Sequence, residues 1–580
     1  MKITKLEIHN YRNLDGVKIS FEENCNFIVG ENNLGKSNLL TLINILFTSR
    51  AFKLDDFKDV SLPIEINFQL KLAPIEIGHF QDLFDLDDYS LINITARQDN
   101  IDDNIVFFHT ETTTYIQPSV VKCLNYIHYD SLRNPVAEIN FDKGRGVGRF
   151  LRNIISQYLK NNGISDADFL DDTKVTELLS SINEKIVKIK SFQDFGIRAS
   201  TEDDAENLLS KIVVLKDGKG DSLFKTGYGV QFLILVTLSV LEKLQAIRTQ
   251  RGERGIFEDE TNGKKSISLV IGLDEPEIHL HPYMQRSLIK YLNSVITNNN
   301  AEFRTLIKEL FDIDEFIGQV IVVTHSPNIL LNNYRQVVRL YSEKGKTKLV
   351  CGGEITLNHQ LQKHLYMNFP YIKEAFFSRC LIFVEGDSEY SSFPFFGKTI
   401  GIDFDDLGIS VIQARGDAIK QLIEIATFFQ IPSVGIRDKD NGNKPTGLPN
   451  YFTTNQRDFE EEIVSIIDLG KESLLRTILL EYDSKGIERA MDKDSLNARL
   501  FDKQGNQKYN LGLSPFTAPL KLADIDLTDK VNLKAFYITW FSVCKSYPLG
   551  LLIGEHLTSA EIPVIYQTVI TEAKKLVANV

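Results

Sequence analysis

Two kinds of hydrophobic patterning run along the chain. In MKITKLEIHNYRNL, PIEINFQLKL and SLINITARQ, apolar and polar residues take turns, the period-2 mark of strands with one wet face. Elsewhere short apolar runs stop abruptly: Phe27 to Val29, SLVIGLD, QVIVVTH, Leu381 to Val384, and the run ending in IPSVGIRD. Such runs read as fully buried strands. Residues of about 150 to 215 carry helical apolar spacing, as in VTELLSSINEKIVKIKSF. VVRLYSEKGKTKLVCGG predicts a hairpin-like edge and LNHQLQKHLYMNFPYIKEAFFS a helical linker. ERAMDKDSLNARLFDKQGNQ and VNLKAFYITWFSV predict a mostly helical C-terminal segment. No heptad run long enough for a coiled-coil arm, no repeat and no low-complexity tract interrupts this α/β pattern. No apolar run is read as reaching the roughly 18–20 residues of a membrane span.

At 580 residues and 43% hydrophobic content the chain has room for two to four domains with large cores. The net charge of −13 argues against nonspecific coating of nucleic acid, although local basic patches can coexist with it. Five separated cysteines without a CxxC pair argue for a reduced, cytoplasmic protein without a zinc module. The N-terminus reads as a strand rather than a signal peptide.

Candidate chemistry begins at GENNLGKS, Gly30 to Ser37, which fits G-x-x-x-x-G-K-[ST] between a strand and a helix. Gly30, Asn32, Asn33 and Gly35 belong to a loop whose N–H groups curl around phosphates. Lys36 supplies charge to the β/γ-phosphates of ATP, and Ser37 is a ligand for Mg²⁺. SLVIGLDEPEIHLHP delivers Asp274 to the same Mg²⁺ and Glu275 to the attacking water. His325, in the T-H-S-P turn after another strand, is placed to reach a γ-phosphate.

These pieces resemble the ABC-class ATPases, in the branch shared with SMC proteins. That resemblance implies a signature loop acting in trans, and therefore at least a dimer through the ATPase heads. The candidate is KTGYGVQFLILVTL, with Thr226, Gly227, Tyr228, Gly229 and Gln231. It departs from L-S-G-G-Q, and a glycine turn capping a core helix is the competing reading. The helical insert is read as packing against a partner subunit, with a lid on the ATPase as the alternative.

CLIFVEGDSEY raises a different question, because Glu385, Asp387 and Glu389 crowd the end of a buried strand. Such acids repel one another unless a cation sits among them. Some 50 residues later a second strand ends in Asp438-Lys439-Asp440. Both clusters then stand at the C-terminal ends of parallel strands, where α/β sheets place their sites. Helix capping explains Asp387 or Glu389 singly but not two neighbouring clusters.

An E-G strand end followed by a D-x-D strand end resembles the Toprim domain, whose acids hold Mg²⁺ or Mn²⁺. An ABC-type ATPase followed by Toprim resembles the OLD (overcoming lysogenization defect) family of nucleases, with its Gabija-type anti-phage members. The resemblance covers residues 1 to about 460. It implies further acids for a second metal: Asp458 and Glu460, with Glu461 and Glu462 as spares, although an acid-rich helix N-terminus explains them equally. It also implies a late lysine near the scissile phosphate, for which Lys545 is the candidate and Lys530 and Lys534 lie close by.

The expected organisation is an ATPase over 1–345, a linker over 346–378, a Toprim core over 379–465 and a helical part over 466–580 that completes it. The expected activity is ATP-regulated, two-metal DNA cleavage by Glu385, Asp438, Asp440 and Lys545, with Glu275 serving ATP hydrolysis. An SMC-like repair ATPase whose Toprim part only binds nucleic acid is the alternative. A topoisomerase-like reading lacks its tyrosine-bearing winged helix. The resemblance further implies DNA and a homo-oligomer, a dimer or a tetramer, that acts alone, with a helicase-like partner, or with a reverse transcriptase and its RNA; no membrane is expected.

Overall fold

The computed structural model describes residues 1–81, 83–85, 87–130, 147–148, 150, 154, 161, 172–201, 213–251, 255–414, 418–440 and 447–578. It divides into two compact units, Met1–Glu354 and Ile355–Val580.

In the first unit the alternating segments build an antiparallel sheet. β1 (Lys2–His9), β2 (Lys18–Ser20), β4 (Ile64–Lys71), β5 (Leu91–Gln98), β6 (Val106–His109) and β7 (Tyr115–Ile116) are ordered β2-β1-β4-β5-β6-β7. In β4 every second side chain, Ile64, Ile66, Phe68 and Leu70, is buried, as the period-2 pattern requires. The unbroken apolar runs build a second, mostly parallel sheet. It contains β3 (Cys25–Gly30), β8 (Asn125–Tyr129), β11 (Phe257–Glu258), β12 (Lys265–Asp274), β13 (Glu315–Val323), β14 (Val337–Glu343) and β15 (Lys346–Cys351). The order is β11-β12-β13-β3-β14-β15, with β8 also on β12. β8, β12, β13, β3 and β14 run parallel, so the loops that follow β3, β12 and β13 gather at one end. α1 (Lys36–Thr48) buries Leu39, Leu40, Leu42, Ile43, Leu46 and Phe47 in the core that joins the two sheets.

Much of the expected insert over 150–215 lies outside the described residues. The described part holds α2 (Asp172–Ile186), a short helix Lys190–Asp194 and a hairpin of β9 (Arg198–Thr201) with β10 (Val213–Lys216), so it is not purely helical. α3 (Tyr228–Arg251) corrects one expectation. Its stretch Gly229–Thr249 is long and apolar enough to cross a membrane by length and composition. It is also 78% buried inside the protein, and a helix enclosed on all sides is apolar on all sides. α4 (Pro282–Ile296) and α5 (Ala301–Phe311) lie between β12 and β13.

The second unit opens with α6 (His359–Ala375). The segment expected as a linker belongs here, with Phe376 after it set edge-on to Phe429 at 4.9 Å. Four parallel strands follow: β16 (Cys380–Val384), β17 (Ile409–Gln413), β18 (Ser433–Arg437) and β19 (Tyr451–Thr453), in the order β17-β16-β18-β19. α7 (Asp387–Thr399) and α8 (Ala418–Phe428) connect them, and α9 (Phe459–Val464) and α10 (Glu472–Tyr482) come next. The stretch ERAMDKDSLNARLFDKQGNQ is less helical than expected. Its helix is α11 (Lys493–Leu500), and Ala490–Met491 instead pair with Leu520–Lys521. α12 (Lys530–Val543), α13 (Tyr547–His556) and α14 (Val564–Ala578) share one core with β16 and β18. α14 lies against β16 and β18, and α13 against α7. Cys25, Cys123, Cys351 and Cys380 are buried thiols, and Cys544 is half-buried.

Candidate functional site

The first site forms where β3, β12 and β13 end side by side. β3 finishes at Gly30, with φ +133, facing Leu340 of β14; a Cβ there would lie 2.2 Å from the Leu340 carbonyl oxygen. The loop then turns through Asn33 at φ +64 and Gly35 at φ +94, and α1 starts at Lys36. Lys36 folds back over the loop, donating to the carbonyls of Gly30 (2.9 Å) and Glu31 (2.6 Å). Burial pulls its ammonium down to about 8, partly opposed by Glu275, Asp274, Glu277 and Glu31. An anion brought to Lys36 would therefore be met by a desolvated positive charge at a helix N-terminus.

Ser37 Oγ donates to Asp274 Oδ1 at 2.9 Å, which brings the two expected Mg²⁺ ligands together. Burial pushes Asp274 up to about 6, against the Ser37 hydrogen bond, and Glu275 adds to the rise. Glu275 adopts the left-handed conformation, φ +46, and its N–H donates to Val323 O at 2.9 Å, tying the end of β12 to that of β13. Its carboxylate meets His325 Nε2 at 3.1 Å. Burial and Lys36 lower the imidazole pKa, while Glu275 raises it. Asn32, Asn33, Gly35, Lys36, Ser37, Asn38, Glu275 and His325 line an open cleft of about 790 Å³. The donor set fits a nucleoside triphosphate with a hard divalent cation: backbone N–H groups and an ammonium for phosphate, Ser37 and Asp274 for the metal.

Sequence reasoning missed Glu277, a half-buried residue whose carboxylate accepts the His325 N–H. The D-E-P-E spacing, a second acid two residues beyond Glu275, was its signal. Gly227 and Gly229 precede and open α3 and are not among the residues lining this cleft. Gln231 Nε2 donates to Thr226 O at 2.9 Å, closing that turn on itself.

The second site forms at the ends of β16 and β18. Parallel pairing sets Glu385 beside Asp438, and the Asp438 N–H donates to Glu385 Oε2 at 3.1 Å. Asp438 Oδ1 accepts from Phe459 N at 3.0 Å. Glu389, one turn into α7, is buried, and its Oε2 has no hydrogen-bond partner. A Cβ on Gly386 would lie 2.6 Å from that oxygen and 3.1 Å from Lys545 Cε, so carboxylate and lysine close over the glycine. Lys545 Nζ sits 3.0 Å from Glu460 Oε1. Lys530 and Lys534 instead reach Asp468, which leaves Lys545 as the one of the three that meets the acids.

Crowding marks these acids. Burial first, then Glu389 and Glu460, push Asp438 up to about 9. Burial pushes Glu389 up to about 7, with Lys545 opposing. Burial would lower the Lys545 ammonium, but Glu460, Glu389 and Asp438 outweigh it and hold the pKa above its ordinary value.

Other expected ligands are held differently. Asp458 caps α9 by accepting the Glu461 N–H, and also takes Arg499 at 2.9 Å and the Tyr509 hydroxyl. Arg499 reaches Glu460 too, at 3.0 Å. Asp440 has φ +49 and a 55% exposed side chain 3.8 Å from Arg437, and its N–H donates to Arg457 O at 2.8 Å. Asp387 sits in the exposed first turn of α7. Glu461 and Glu462 accept the N–H groups of Arg457 and Gln456 and so brace the preceding loop. Among the described residues no three His, Cys, Asp or Glu side chains form a ready ligand group. The physical reason is that Lys545 and Arg499 stand between the carboxylates as their counter-charges. The donor chemistry of Glu385, Glu389, Asp438 and Glu460 nevertheless fits a hard cation, since their mutual repulsion and the unpartnered Glu389 oxygen both call for positive charge.

Comparison with known proteins bears on both sites. The AAA ATPase domain profile matches residues 1–142 and 147–330, more than half of the chain. A profile of the TOPRIM domain of overcoming lysogenization defect-like proteins matches residues 376–440. Endonuclease GajA of Bacillus cereus (strain HuB5-5) is 23% identical over 494 residues, 75% of this chain and 66% of that protein. DNA replication and repair protein RecF of Oceanobacillus iheyensis is 31% identical over 100 residues, 14% of this chain and 27% of RecF. The chain thus spans just under two thirds of the first relative and about a quarter of the second. Among solved structures, an SMC head bound to ScpA covers 60% of this chain and 97% of its own, with 17% identity and a TM-score of 0.35. The C-terminal region of the Burkholderia pseudomallei OLD protein covers 35% of this chain and 99% of its own, at 17% identity and a TM-score of 0.23. The chain belongs to the AAA ATPase domain family and carries an OLD-like TOPRIM domain behind it.

Proposed function

We propose that the chain is an ATP-binding, metal-dependent DNA endonuclease of the OLD type. The observation that carries this reading is the gathering of Glu385, Glu389, Asp438 and Glu460 with Lys545 at the ends of two parallel strands. These four acids would hold Mg²⁺ or Mn²⁺, and Asp440 and Asp458 a second ion; such ions would supply Lewis-acid activation of the phosphodiester and of water. Lys545 neutralises charge developing on the scissile phosphate. In the ATPase site Lys36 binds the β/γ-phosphates, Ser37 and Asp274 hold Mg²⁺, and Glu275, steadied by His325, takes the proton from water. Gly227 and Gly229 act in trans on a second head, which makes the working form a dimer, or a tetramer of two dimers, joined through the insert over 150–215. DNA is the substrate, the cytoplasm is the compartment, and the anti-phage role follows from the OLD resemblance alone. The matches reported above speak for neither a helicase-like partner nor a reverse transcriptase, and the proposal includes none.

A second reading, an SMC-like repair ATPase whose TOPRIM part binds without cutting, draws on one observation: Lys545 and Arg499 already neutralise the acids, and Asp440 faces away. One experiment separates the two. Glu385→Ala, and Asp438→Ala combined with Asp440→Ala, are assayed for duplex cleavage with Mg²⁺ or Mn²⁺. Loss of cutting with ATP binding retained supports the nuclease; cutting at the wild-type rate makes the acids structural.

A further inference from the structure

Beside the carboxylate site stands an exposed aromatic pair. Tyr390 follows Glu389 on α7, and Tyr547, two residues after Lys545, opens α13; their ring centroids lie 6.0 Å apart at 49°. The two residues are 40% and 52% exposed. Their helices are locked together. A Cβ on Gly550 would lie 2.1 Å from Ser391 Oγ and one on Gly554 2.7 Å from Phe395 Cβ, so α13 lies against α7 at near-backbone contact. The Tyr390 N–H donates to Gly386 O at 3.1 Å, and Gly386 is the residue over which Glu389 and Lys545 close. Tyr390 therefore springs from the same first turn of α7 as Glu389, and Tyr547 from the chain two residues beyond Lys545.

Both rings line a hollow of about 390 Å³ whose charged walls are Glu374, Lys398, Asp403 and Asp405. Three carboxylates against one ammonium repel phosphate there, while Lys545, which does not line the hollow, attracts it at the carboxylate site. Charge thus sorts a nucleotide, with phosphate toward Lys545 and the uncharged base toward the tyrosines. Flat aromatic surface suits a base because every base has a π-face, and stacking tolerates any sequence.

We propose that Tyr390 and Tyr547 form a stacking platform for an unpaired nucleobase next to the scissile phosphate, so that DNA unpaired at that position is the preferred substrate. The proposal rests on the nuclease reading. The probe is a single-stranded oligonucleotide carrying 2-aminopurine, titrated with the full-length protein in EDTA, with the same base paired in a duplex for comparison. Stacking quenches the probe, and the single strand binds more tightly than the duplex. Tyr390→Leu and Tyr547→Leu each weaken single-strand binding about five- to hundredfold and relieve the quench. Tyr547→Phe keeps both, and a thermal melt reports the folding of every variant. Leu variants that bind and quench like wild type overturn the platform, as does equal binding of paired and unpaired probes. So does a change of oligomeric state in the Leu variants with probe binding intact, since the rings would then face another protein. Quenching by a protein that cuts no DNA with Mg²⁺ or Mn²⁺ sinks the nuclease reading and keeps the platform as a binding site; cutting without quenching sinks the platform alone.

Discussion

Replacing Lys545 by methionine tests whether its ammonium holds the place of a cation among the acids. Lys545 lies 3.0 Å from Glu460, whose side chain is 3% exposed, and it counters Glu389 and Asp438, both buried. Removing one member of a fully buried ion pair costs about 3–5 kcal/mol. Lys545 is itself 35% exposed and Arg499 still reaches Glu460, so solvent screening and the second partner reduce the figure to about 1–3 kcal/mol. For a unit of 226 residues (355 to 580) that is a drop of about 2–12 °C in Tm. The sign with pH follows from Glu389. Its pKa is raised from 4.5 to about 7, so stability from its neutral form is present at low pH and lost as pH rises through about 7. The Lys545→Met deficit should therefore grow as pH rises through about 7, where Glu389 ionises, and again toward about 9, where Asp438 does. Thermal melts in EDTA and in saturating Mn²⁺, on both sides of pH about 7, measure all of this. Mn²⁺ should restore most of the lost Tm, giving the variant a larger metal-induced gain than wild type. An unchanged Tm in EDTA, or a smaller gain with Mn²⁺, would refute the counter-charge argument.

Lys36→Ala should abolish tight ATP binding without unfolding the first unit, read by calorimetric titration and a melt. In wild type, Mg²⁺-ATP affinity should be level between pH about 6, below which Asp274 protonates, and pH about 8, and then fall up to tenfold per pH unit, because binding requires the ammonium that burial has made easier to deprotonate. Glu275→Gln should bind ATP yet turn it over at least a hundredfold more slowly, since an amide accepts no proton, and should accumulate an ATP-dependent dimer by native mass; normal turnover would move the base elsewhere. Gly30→Ala should lower stability by about 3–5 kcal/mol through strain and overlap with the Leu340 carbonyl, seen as a lower Tm of the first unit.

What could be read in the sequence was what neighbours in sequence determine. The run Phe27–Val29 followed by glycines located the end of β3 because burial, turn and helix start are all local. Glu385 and Asp438 were legible as a pair because each ends an apolar run, and parallel pairing then brings the ends together. Arg499 and Tyr509 were not, since their contacts with Asp458 cross 41 and 51 positions and no local pattern encodes them. Asp440 reads as a ligand by its spacing, but its φ of +49 and its exposed side chain 3.8 Å from Arg437 are not written in that spacing. The stretch over 359–375 read as a linker because its amphipathic pattern does not say which sheet it covers. The apolar run of α3 went unweighted because burial on every side produces the same composition as lipid.

The placement of α14 over β16 and β18, with Lys545 just ahead of it, also sets an order in time. Glu460, the last of the four acids to be made, leaves the ribosome about 85 residues before Lys545, an interval of about 4–17 s at ordinary synthesis rates. Through that interval the acids are present, their counter-ion is not, and the sheet lacks the helix that covers it. A nascent chain, or one truncated before Lys545, carries every acid of the site and still has no site. On the nuclease reading, cutting then waits until the last helices dock and bring Lys545 to the acids.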